Sequence, residues 1–251
     1  MDRRHAVRPL PGAISAMLVF VAMLPAVVVM PAAASRVTDD LMALYDFAEG
    51  GGVAVTDVSG VAPPLDLTIV VPGAVTWLPG GGLTLDSPTL ITSGMYANKI
   101  VAAATATNSL TLEAWLVPAN TTQNGPARIM TCSGSSTERN FMLGQGVWNE
   151  GGDRWSTRLR TTVTDDNGTP ETATDPGTLA TELTHVVVTR DGTGAVGYYL
   201  DGQLVHTDFV GGTLQNWSTE FPLSLGDELT GGRPWLGTFH LVAVYGRALD
   251  H

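Results

Sequence analysis

Cysteine and lysine are nearly absent from this 251-residue sequence, and basic residues are few overall. Cys132 and Lys99 are the only residues of their kinds, and 13 basic residues face 24 acidic ones, which gives a formal charge of −11 at pH 7. A single cysteine excludes a disulfide framework and a cysteine-rich zinc site. Nucleic acid is not an expected partner, because binding to phosphates needs a cationic face. An acidic surface also repels anionic lipids.

Long apolar runs are missing too, except near the N-terminus. Three arginines within residues 1–8 precede an apolar stretch over residues 13–30, and a run of small residues follows it. This order is typical of a secretory signal peptide, and we place the cleavage after Ala34. An uncleaved membrane anchor is the alternative, since the apolar stretch is long, although Pro25 interrupts it.

Cleavage at this point divides the chain into a signal peptide at 1–34 and a mature domain at 35–251. The cleavage removes three arginines and one aspartate, which leaves 10 basic and 23 acidic residues and a formal charge of −13. We therefore predict a strongly acidic protein that is secreted, periplasmic or exposed at the cell surface. No membrane insertion is expected after signal cleavage.

The mature chain has the pattern of short strands and turns that is typical of an all-β domain. Short runs rich in valine, threonine, leucine and aromatic residues alternate with clusters of glycine, asparagine, aspartate and proline. Only residues 97–107 favour a helix. Many short strands without βαβ alternation predict a two-sheet antiparallel β-sandwich, or jelly roll, in a single domain with one short helix at most. The predicted strands lie within residues 41–47, 53–58, 65–71, 75–78, 83–85, 109–117, 128–132, 140–143, 156–163, 184–207, 221–225 and 235–245.

Two segments carry the clearest strand patterns. In residues 109–117, leucine and alanine side chains fall on one face, while Thr111, Glu113 and Trp115 fall on the other. A period of two predicts a strand that is buried on one side. Farther along, the Asp201-Gly202 pair separates two strand-like runs. This pair favours the positive φ angles of a type I′ hairpin turn.

These segments, in this order, resemble the laminin G-like (LamG) domains of the concanavalin A-like jelly-roll superfamily. The resemblance covers residues 40–250 and implies a jelly-roll fold. Members usually continue past the final R-A-L motif, whereas this chain stops at His251, so a fragment of a longer protein is one interpretation. The motifs that carry the resemblance are LYDFAEGG at 44–51, SLTLEAW at 109–115, the meander at 184–202 and the closing stretch at 235–249.

The same superfamily includes glycoside hydrolases, which place two carboxylates across the scissile bond. The E-x-D-x-x-E motif of its laminarinase-like enzymes does not occur here. Glu113 is the only glutamate on a clearly patterned strand, and its neighbours on that face are Thr111 and Trp115. The other acidic pairs fall in predicted loops, where solvated charge is the ordinary explanation, and they are Asp39-Asp40, Asp165-Asp166, Asp227-Glu228 and Glu150 with Asp153.

Other catalytic signatures are missing as well. The sequence has no G-x-S-x-G elbow, no H-E-x-x-H motif and no phosphate-binding loop. Cys132 is better explained as a small buried hydrophobic residue than as a nucleophile. His185 and His206 are better explained as structural or surface residues. We therefore predict that the protein is not an enzyme.

Tryptophans in loops beside polar residues suggest a carbohydrate site, in which a ring packs on the sugar and polar groups fix its hydroxyls. Trp77 and Trp115 are better explained as sheet residues. If the other four tryptophans bind a ligand, at least two of them should form an exposed cluster on one rim. If they only pack within the fold, their rings should be buried. The candidate ligand-binding residues are Trp148, Trp155, Asn216, Trp217, Arg233 and Trp235.

Calcium is the one cofactor that the resemblance suggests. Calcium binds oxygen atoms from loop carboxylates and carbonyls, and Asp57, Asp227 and Glu228 lie in suitable predicted turns. No EF-hand spacing occurs. A turn-forming side chain is the alternative role for Asp57.

The predicted function is a secreted, non-catalytic binding module with carbohydrate as its ligand. The alternative is a structural or adhesion module of a larger surface protein, which makes protein–protein contacts. The expected partner is accordingly a glycan or an extracellular protein. Fold analogy alone supplies most of the preference for carbohydrate.

Overall fold

The computed structural model describes Met1 and residues 36–123 and 125–250, which form sixteen β-strands and one α-helix. Apart from Met1, the predicted signal peptide at 1–34 lies outside the described residues. Residues from Val37 onward group into one compact unit. The elements are β1 (Leu41–Tyr45), β2 (Ala54–Val55), β3 (Leu67–Ile69), a 3-10 turn (Pro72–Ala74), β4 (Val75–Trp77), β5 (Leu83–Leu85), β6 (Ile91–Tyr96), α1 (Asn98–Thr107), β7 (Leu110–Pro118), β8 (Ala127–Ser135), β9 (Glu138–Val147), β10 (Gly151–Leu159), β11 (Thr172–Ala173), β12 (Thr184–Arg190), β13 (Ala195–Leu200), β14 (Gln203–Phe209), β15 (Pro222–Leu225) and β16 (Gly237–Tyr245).

The described strands form two antiparallel sheets of eight strands each. The first sheet runs β14-β13-β12-β7-β16-β5-β4, and β1 also pairs with β16. Both β5 and β1 fit beside β16 because β5 pairs with residues 237–239 and β1 with residues 242–245. The second sheet runs β11-β10-β9-β8-β15-β6-β3-β2. The predicted two-sheet sandwich is confirmed.

The hydrophobic core lies between the two sheets. Alternate residues of β1, β3 and β5 are buried, as expected for strands with one face toward a core. The second sheet contributes Phe141 and Trp155 to this core, and the first contributes Tyr45 and Phe239, all with no exposed surface. Burial of such large apolar side chains is the main stabilising term of the fold.

The helix α1 matches the helical run predicted at 97–107. Its alanine-rich sequence favours a helix, and Ile100 and Ala104 are buried against the core. The helix ends at Asn108, which adopts a left-handed φ of 53° that asparagine tolerates. The Asn108 side chain also accepts a hydrogen bond from the backbone N–H of Leu214.

The hairpin between β13 and β14 has the predicted turn. Asp201 and Gly202 have φ angles of 49° and 78°, so both central positions lie in the left-handed region that a type I′ turn requires. The turn therefore sets the register in which Leu200 pairs with Gln203.

Strand β7 differs from its prediction because both of its faces are covered. Thr111 and Glu113 are buried, whereas Trp115, farther along that face, is 36% exposed. The segment after β16 folds over this face, since the Thr111 hydroxyl donates to the carbonyl of Arg247 and accepts from the backbone N–H of Leu249. Sequence alternation identified the strand but could not show this cover.

Strand β10 begins five residues earlier than predicted, which moves Asp153 and Trp155 from a loop into the sheet. Residues 174–179 explain the difference, because they continue along this strand beyond β11. The carbonyl of Asp153 accepts from the backbone N–H groups of Gly177 and Leu179, and that of Trp155 accepts from the backbone N–H of Thr174.

Within the described part of the chain, no helix has the length and apolar character needed to cross a membrane.

Candidate functional site

Trp148 lies at the tip of the turn between β9 and β10, with 47% of its surface exposed. The turn is three residues long, because Val147 pairs with Gly151. Asn149 and Gly151 have φ angles of 62° and 115°, which allow the chain to reverse here. An indole ring held at such a tip can contact a ligand without any rearrangement of the core.

Arg233 covers this ring. Its guanidinium carbon lies 4.2 Å from the centroid of Trp148, in cation–π geometry. The loop between β15 and β16 holds Arg233 in place, since its backbone N–H donates to Oδ1 of Asp227 at 2.7 Å and its carbonyl accepts from the N–H of Arg128 at 2.9 Å. Oδ1 of Asp227 also accepts from the N–H of Glu228 at 2.7 Å. Asp227 is therefore a positioning residue for Arg233.

Glu228 is a fully buried carboxylate that two arginines share. Its Oε2 lies 2.9 Å from Nε of Arg128 and 3.7 Å from Nη1 of Arg139. Its Oε1 accepts hydrogen bonds from the Ser133 hydroxyl and from the N–H of Leu229. These contacts compensate one negative charge with two guanidinium groups in a place without solvent.

Arg158 adds a third guanidinium on the same face of the second sheet. Side chains alternate along a strand, so Arg128 and Arg158 point away from the core that buries their neighbours Ile129 and Leu159. Nε of Arg158 lies 3.0 Å from Oε2 of Glu171. The outer face of the second sheet thus presents cations from two different strands.

These side chains line a cavity of about 250 Å³, which we call the arginine pocket. Its wall holds three guanidinium groups, one indole ring, hydroxyls and an amide, and none of the described lining residues carries a carboxylate. Such a wall can bind a planar anion through paired N–H donors and can also donate to sugar hydroxyls. The lining residues are Pro126, Arg128, Ser136, Thr137, Trp148, Arg158, Asn167, Thr169 and Arg233.

The arginines around the pocket act on one another. Burial lowers the pKa of Arg128, the charge of Glu228 raises it, and the like charges of Arg158 and Arg233 lower it. The pKa of Arg139 is lowered by burial and by Arg128, again with Glu228 in opposition. Four cations therefore crowd one region of a chain whose formal charge is −11.

Comparison with known families identifies the fold that carries this pocket. The family model Laminin_G_3, described as the concanavalin A-like lectin/glucanases superfamily, matches residues 92–251. The chain belongs to this superfamily. The matched range includes every residue that lines the arginine pocket. The laminin G-like resemblance drawn from the sequence motifs is confirmed.

Solved structures similar to this superfamily member include botulinum neurotoxin domains. One comes from botulinum neurotoxin type C, whose uptake into cells depends on interaction with two ganglioside molecules, with a TM-score of 0.58 and 14% identity over 85% of this chain and 49% of that chain. Another is the binding domain of botulinum neurotoxin DC in complex with rat synaptotagmin II, with a TM-score of 0.59 and 13% identity over 86% of this chain and 50% of that chain.

The same toxin's binding domain in complex with SialylT matches with a TM-score of 0.59 and 14% identity, over 85% of this chain and 49% of that chain. The chain thus spans about half the length of these structures. Identity at this level shows a shared fold alone. A search of curated proteins found no match.

The exposed tryptophan cluster expected for a binding rim is not formed. Of the four candidate rings only Trp148 is exposed, while Trp155, Trp217 and Trp235 are buried. Trp155 belongs to a strand, and Nε1 of Trp217 donates to the carbonyl of Arg160 at 2.7 Å. These three rings are core residues, and the expectation that they contact a ligand is corrected.

Trp235 has its own structural reason for burial. Its ring centroid lies 4.7 Å from that of Phe239, and its Nε1 donates to Oε1 of Gln145 at 3.0 Å. The ring also lies so close to Gly237 that a Cβ there would be 2.5 Å from it, which explains why glycine follows at this position. The W-L-G motif of the sequence therefore describes packing.

Asn216 lies apart from the arginine pocket. Its Nδ2 donates to the carbonyl of Thr161 at 2.9 Å, which ties the loop before β15 to the segment after β10. It is not among the residues that line the pocket. Of the six predicted ligand-binding residues, the pocket brings together Trp148 and Arg233.

The three predicted calcium ligands are engaged in other bonds. Asp57 forms an ion pair with Lys99 at 2.5 Å and accepts the backbone N–H of Ser59 at 3.0 Å, as a turn-forming residue does. Asp227 accepts from the backbone N–H groups of residues 228 and 233, and Glu228 pairs with two arginines. Among the described residues, no group of three or more histidine, cysteine, aspartate or glutamate side chains could hold a metal ion. This geometry does not favour calcium at these residues.

The residues rejected as catalytic have structural contacts. Oε1 of Glu113 lies 3.1 Å from Nε2 of His185, whose ring stacks on Trp115, and Oε2 accepts from the hydroxyl of Tyr245 at 3.0 Å. Cys132 is fully buried, and burial raises the pKa of its thiol to about 12. A protonated, inaccessible thiol is not a nucleophile.

The sequence patterns did not single out Arg128, Arg139 and Arg158 as site residues. They lie on three successive strands, where charged side chains would ordinarily be solvated. The sequence did contain one signal for them. The predicted mature chain has only 10 basic residues, and three of these lie on successive strands, which suggests a shared site. Strand register, which the sequence does not reveal, brings them together.

A wider cavity of about 450 Å³ lies on the first sheet. Its lining includes Tyr199 and Leu204 and the acidic residues Asp191 and Asp250. This cavity offers neither an exposed tryptophan nor a cation among its described residues. The arginine pocket, with convergent polar groups beside an aromatic ring, is the better candidate site.

Proposed function

We propose that the protein is a secreted, non-catalytic binding module that holds carbohydrate in the arginine pocket. The observation that carries this proposal is the exposed ring of Trp148 beside Arg233, with Asn167 and Thr169 in the same wall. An indole offers an apolar surface to a sugar ring, while amide, hydroxyl and guanidinium groups suit its hydroxyls. Cell entry of botulinum neurotoxin type C, part of which shares this fold, depends on interaction with two ganglioside molecules, which supports a glycan as the ligand.

Binding without hydrolysis is supported by the absence of a carboxylate from the described wall of the pocket. A glycosidase needs two carboxyl groups about 5–9.5 Å apart across the bond that it cleaves. The carboxylates around the pocket are already paired with arginines that line it: Glu171 with Arg158, and Glu228 with Arg128. Neither is placed to donate a proton to a bound sugar.

Secretion rests on the N-terminal pattern of basic, apolar and small residues. The experiment is expression of the full chain in a bacterial host, followed by N-terminal sequencing of the exported protein. We expect an N-terminus at Ser35. Retention in the membrane fraction with an intact N-terminus would instead favour the uncleaved anchor.

A glycan-array screen of the purified chain tests carbohydrate binding. We expect a hit that Trp148→Ala abolishes and that Trp115→Ala, a matched change at a partly exposed tryptophan of the other sheet, leaves intact. The screen is run with added calcium and with a chelator. Because Asp57, Asp227 and Glu228 are already engaged, we expect the same hit under both conditions. Silence on the array would refute carbohydrate binding for the glycans tested.

Protein–protein adhesion is the second candidate, and one surface feature favours it. Val163 and Phe209 are 70% and 64% exposed and both line a cavity of about 280 Å³ beside the edge strand β14. Exposed apolar side chains that lie together often mark interaction sites. A fold relative is known in complex with synaptotagmin II. Replacement of both residues by serine should abolish capture of a protein partner and leave glycan binding unchanged.

A further inference from the structure

The wall of the arginine pocket has an excess of hydrogen-bond donors with positive charge. Three of its described lining residues are arginines and none is acidic, although acidic residues outnumber basic ones 24 to 13 in the chain. Two of these arginines pair with carboxylates that lie outside the cavity, Arg128 with Glu228 and Arg158 with Glu171, so Arg233 supplies the unpaired positive charge. A cation at the cavity without an ion-pair partner among the described residues favours an anionic ligand over a neutral one.

The carboxylates nearby lie outside the cavity, and they compensate two of its three lining arginines. Those of Glu228 and Glu171 bind Nε atoms of Arg128 and Arg158, and neither residue lines the cavity. Two further carboxylates bind backbone N–H groups of their own loops: Asp227 accepts from residues 228 and 233, and Asp165 accepts from residues 167 and 169.

Arg233 is the most available cation. It has no ion-pair partner among the described residues, and its guanidinium lies over Trp148 at the mouth of the pocket. Behind the wall, Nε and Nη1 of Arg139 are buried without a hydrogen-bond partner. The cluster therefore contains more N–H donors than its own carboxylates satisfy, and buried donors without acceptors are unfavourable.

The size of the pocket limits the ligand. Its volume of about 250 Å³ is below the range of roughly 300–1,000 Å³ typical of sites for drug-sized molecules. A single sugar residue at the end of a glycan fits this limit better than an extended chain. The planar fork of a guanidinium matches a carboxylate through two parallel hydrogen bonds.

We propose that the arginine pocket selects glycans that end in a carboxylated sugar. The carboxylate binds the guanidinium of Arg233 with those of Arg128 and Arg158, and the ring of the sugar packs beside Trp148. This assignment rests on the proposed carbohydrate-binding function and names its ligand class. It also explains why arginines gather at one cavity of an otherwise acidic chain.

The first test compares acids with their uncharged esters and needs no variant. Binding of the purified chain to glucuronic acid and N-acetylneuraminic acid is measured by isothermal titration, beside their methyl esters and glucose. We expect the acids to bind about 10- to 100-fold more tightly than the esters, as the loss of charge-assisted hydrogen bonds implies. Added salt should weaken the binding of the acids and leave the binding of the esters unchanged.

The second test replaces Arg233 by glutamine. Because Arg233 compensates no carboxylate among the described residues, its loss leaves no buried charge unpaired, and circular dichroism checks the fold. We expect Arg233→Gln to lower the affinity for the acids about 10-fold or more and to leave the affinity for the esters unchanged. Arg247→Gln is the matched control, since Arg247 lies outside the pocket and donates to the carbonyl of Asp39. If Arg233→Gln does not fold, the ester comparison decides alone.

The outcomes separate this inference from the proposed function. Equal binding of acids and esters, lost in Trp148→Ala, would overturn the carboxylate assignment and leave carbohydrate binding intact. Binding of sulfated sugars without carboxylated ones would also overturn it. No binding to any saccharide would overturn both proposals. Tight binding of acids that is lost in Arg233→Gln and retained in Arg247→Gln would establish the assignment.

Discussion

Replacement of Glu228 by glutamine removes the carboxylate that Arg128 and Arg139 share. The side chain is fully buried, with Oε2 2.9 Å from Nε of Arg128 and 3.7 Å from Nη1 of Arg139. Glutamine can still accept a hydrogen bond but carries no charge, so two buried guanidinium groups lose their compensation. Removal of one partner of a buried ion pair costs about 3–5 kcal/mol. We expect the free energy of unfolding to fall by this amount.

The assay is chemical unfolding followed by tryptophan fluorescence, with thermal unfolding as a second readout. For a chain of this size each kcal/mol lowers the midpoint by about 2–4 °C, so we expect a fall of roughly 6–20 °C. Glu150→Gln is the control, because Glu150 is 62% exposed in its side chain and lies 3.5 Å from Arg154. Such a surface pair contributes about 0–1 kcal/mol. A loss below about 1 kcal/mol in Glu228→Gln would refute the idea that Glu228 compensates the cluster.

A triple variant tests the same reasoning from the other side. Arg128→Met and Arg139→Met combined with Glu228→Gln remove both charges of the cluster together with their counter-charge. Replacement of a whole buried ionic group by apolar side chains is often neutral or stabilising. We therefore expect the triple variant to recover most of the stability lost in Glu228→Gln while it loses binding to acidic sugars. A triple variant as unstable as Glu228→Gln would contradict this account.

Three further predictions concern buried groups. Burial raises the pKa of Cys132 from its ordinary 9.0 to about 12, so the thiol of the folded protein should resist iodoacetamide at pH 9. The free energy of unfolding should also fall as pH rises above 9, and Cys132→Ala should reduce this fall. Burial raises the pKa of Asp57, but the bonds from Lys99 and nearby N–H groups outweigh burial and hold this pKa below 3.8. The free energy of unfolding should therefore fall as pH drops below 3.8. Unfolding curves measured at several pH values should show a less steep fall in Asp57→Asn. Trp155→Ala should lose about 3–5 kcal/mol in chemical unfolding and Trp148→Ala less than about 1 kcal/mol, and equal losses would contradict their assigned places.

Local patterns predicted most strands of this fold, although they missed β6 and β11. The Asp201-Gly202 pair specifies its turn because few other residues adopt two consecutive positive φ angles. The strand β7 was visible in the alternation of residues 109–117. In both cases a few neighbouring residues contain the physical cause.

The tryptophans were harder to place, because their environment comes from distant parts of the chain. Trp217 packs on Phe141, with ring centroids 5.6 Å apart, and donates to the carbonyl of Arg160. Trp235 donates to the side chain of Gln145, 90 positions away. Nothing in the residues next to either tryptophan reveals these contacts, and nearby glycine and proline suggested loops.

The arginine pocket combines residues that are more than 100 positions apart, such as Arg128 and Arg233. Two of its residues, Trp148 and Arg233, were predicted as ligand contacts from their loop positions. Arg128 and Arg158 were not, because sequence alternation shows only that they face away from the core. The register of three strands then decides which outward-facing side chains meet.

The most direct test of the central claim is a two-dimensional NMR spectrum of the tryptophan indole N–H groups. The chain has six tryptophans, so each ring can be followed separately once its signal is assigned. Addition of glucuronic acid should shift the Trp148 signal in a saturable manner and leave the buried Trp155 and Trp235 signals in place. A saturable shift at Trp115 with no change at Trp148 would contradict the account and place the ligand on the other sheet.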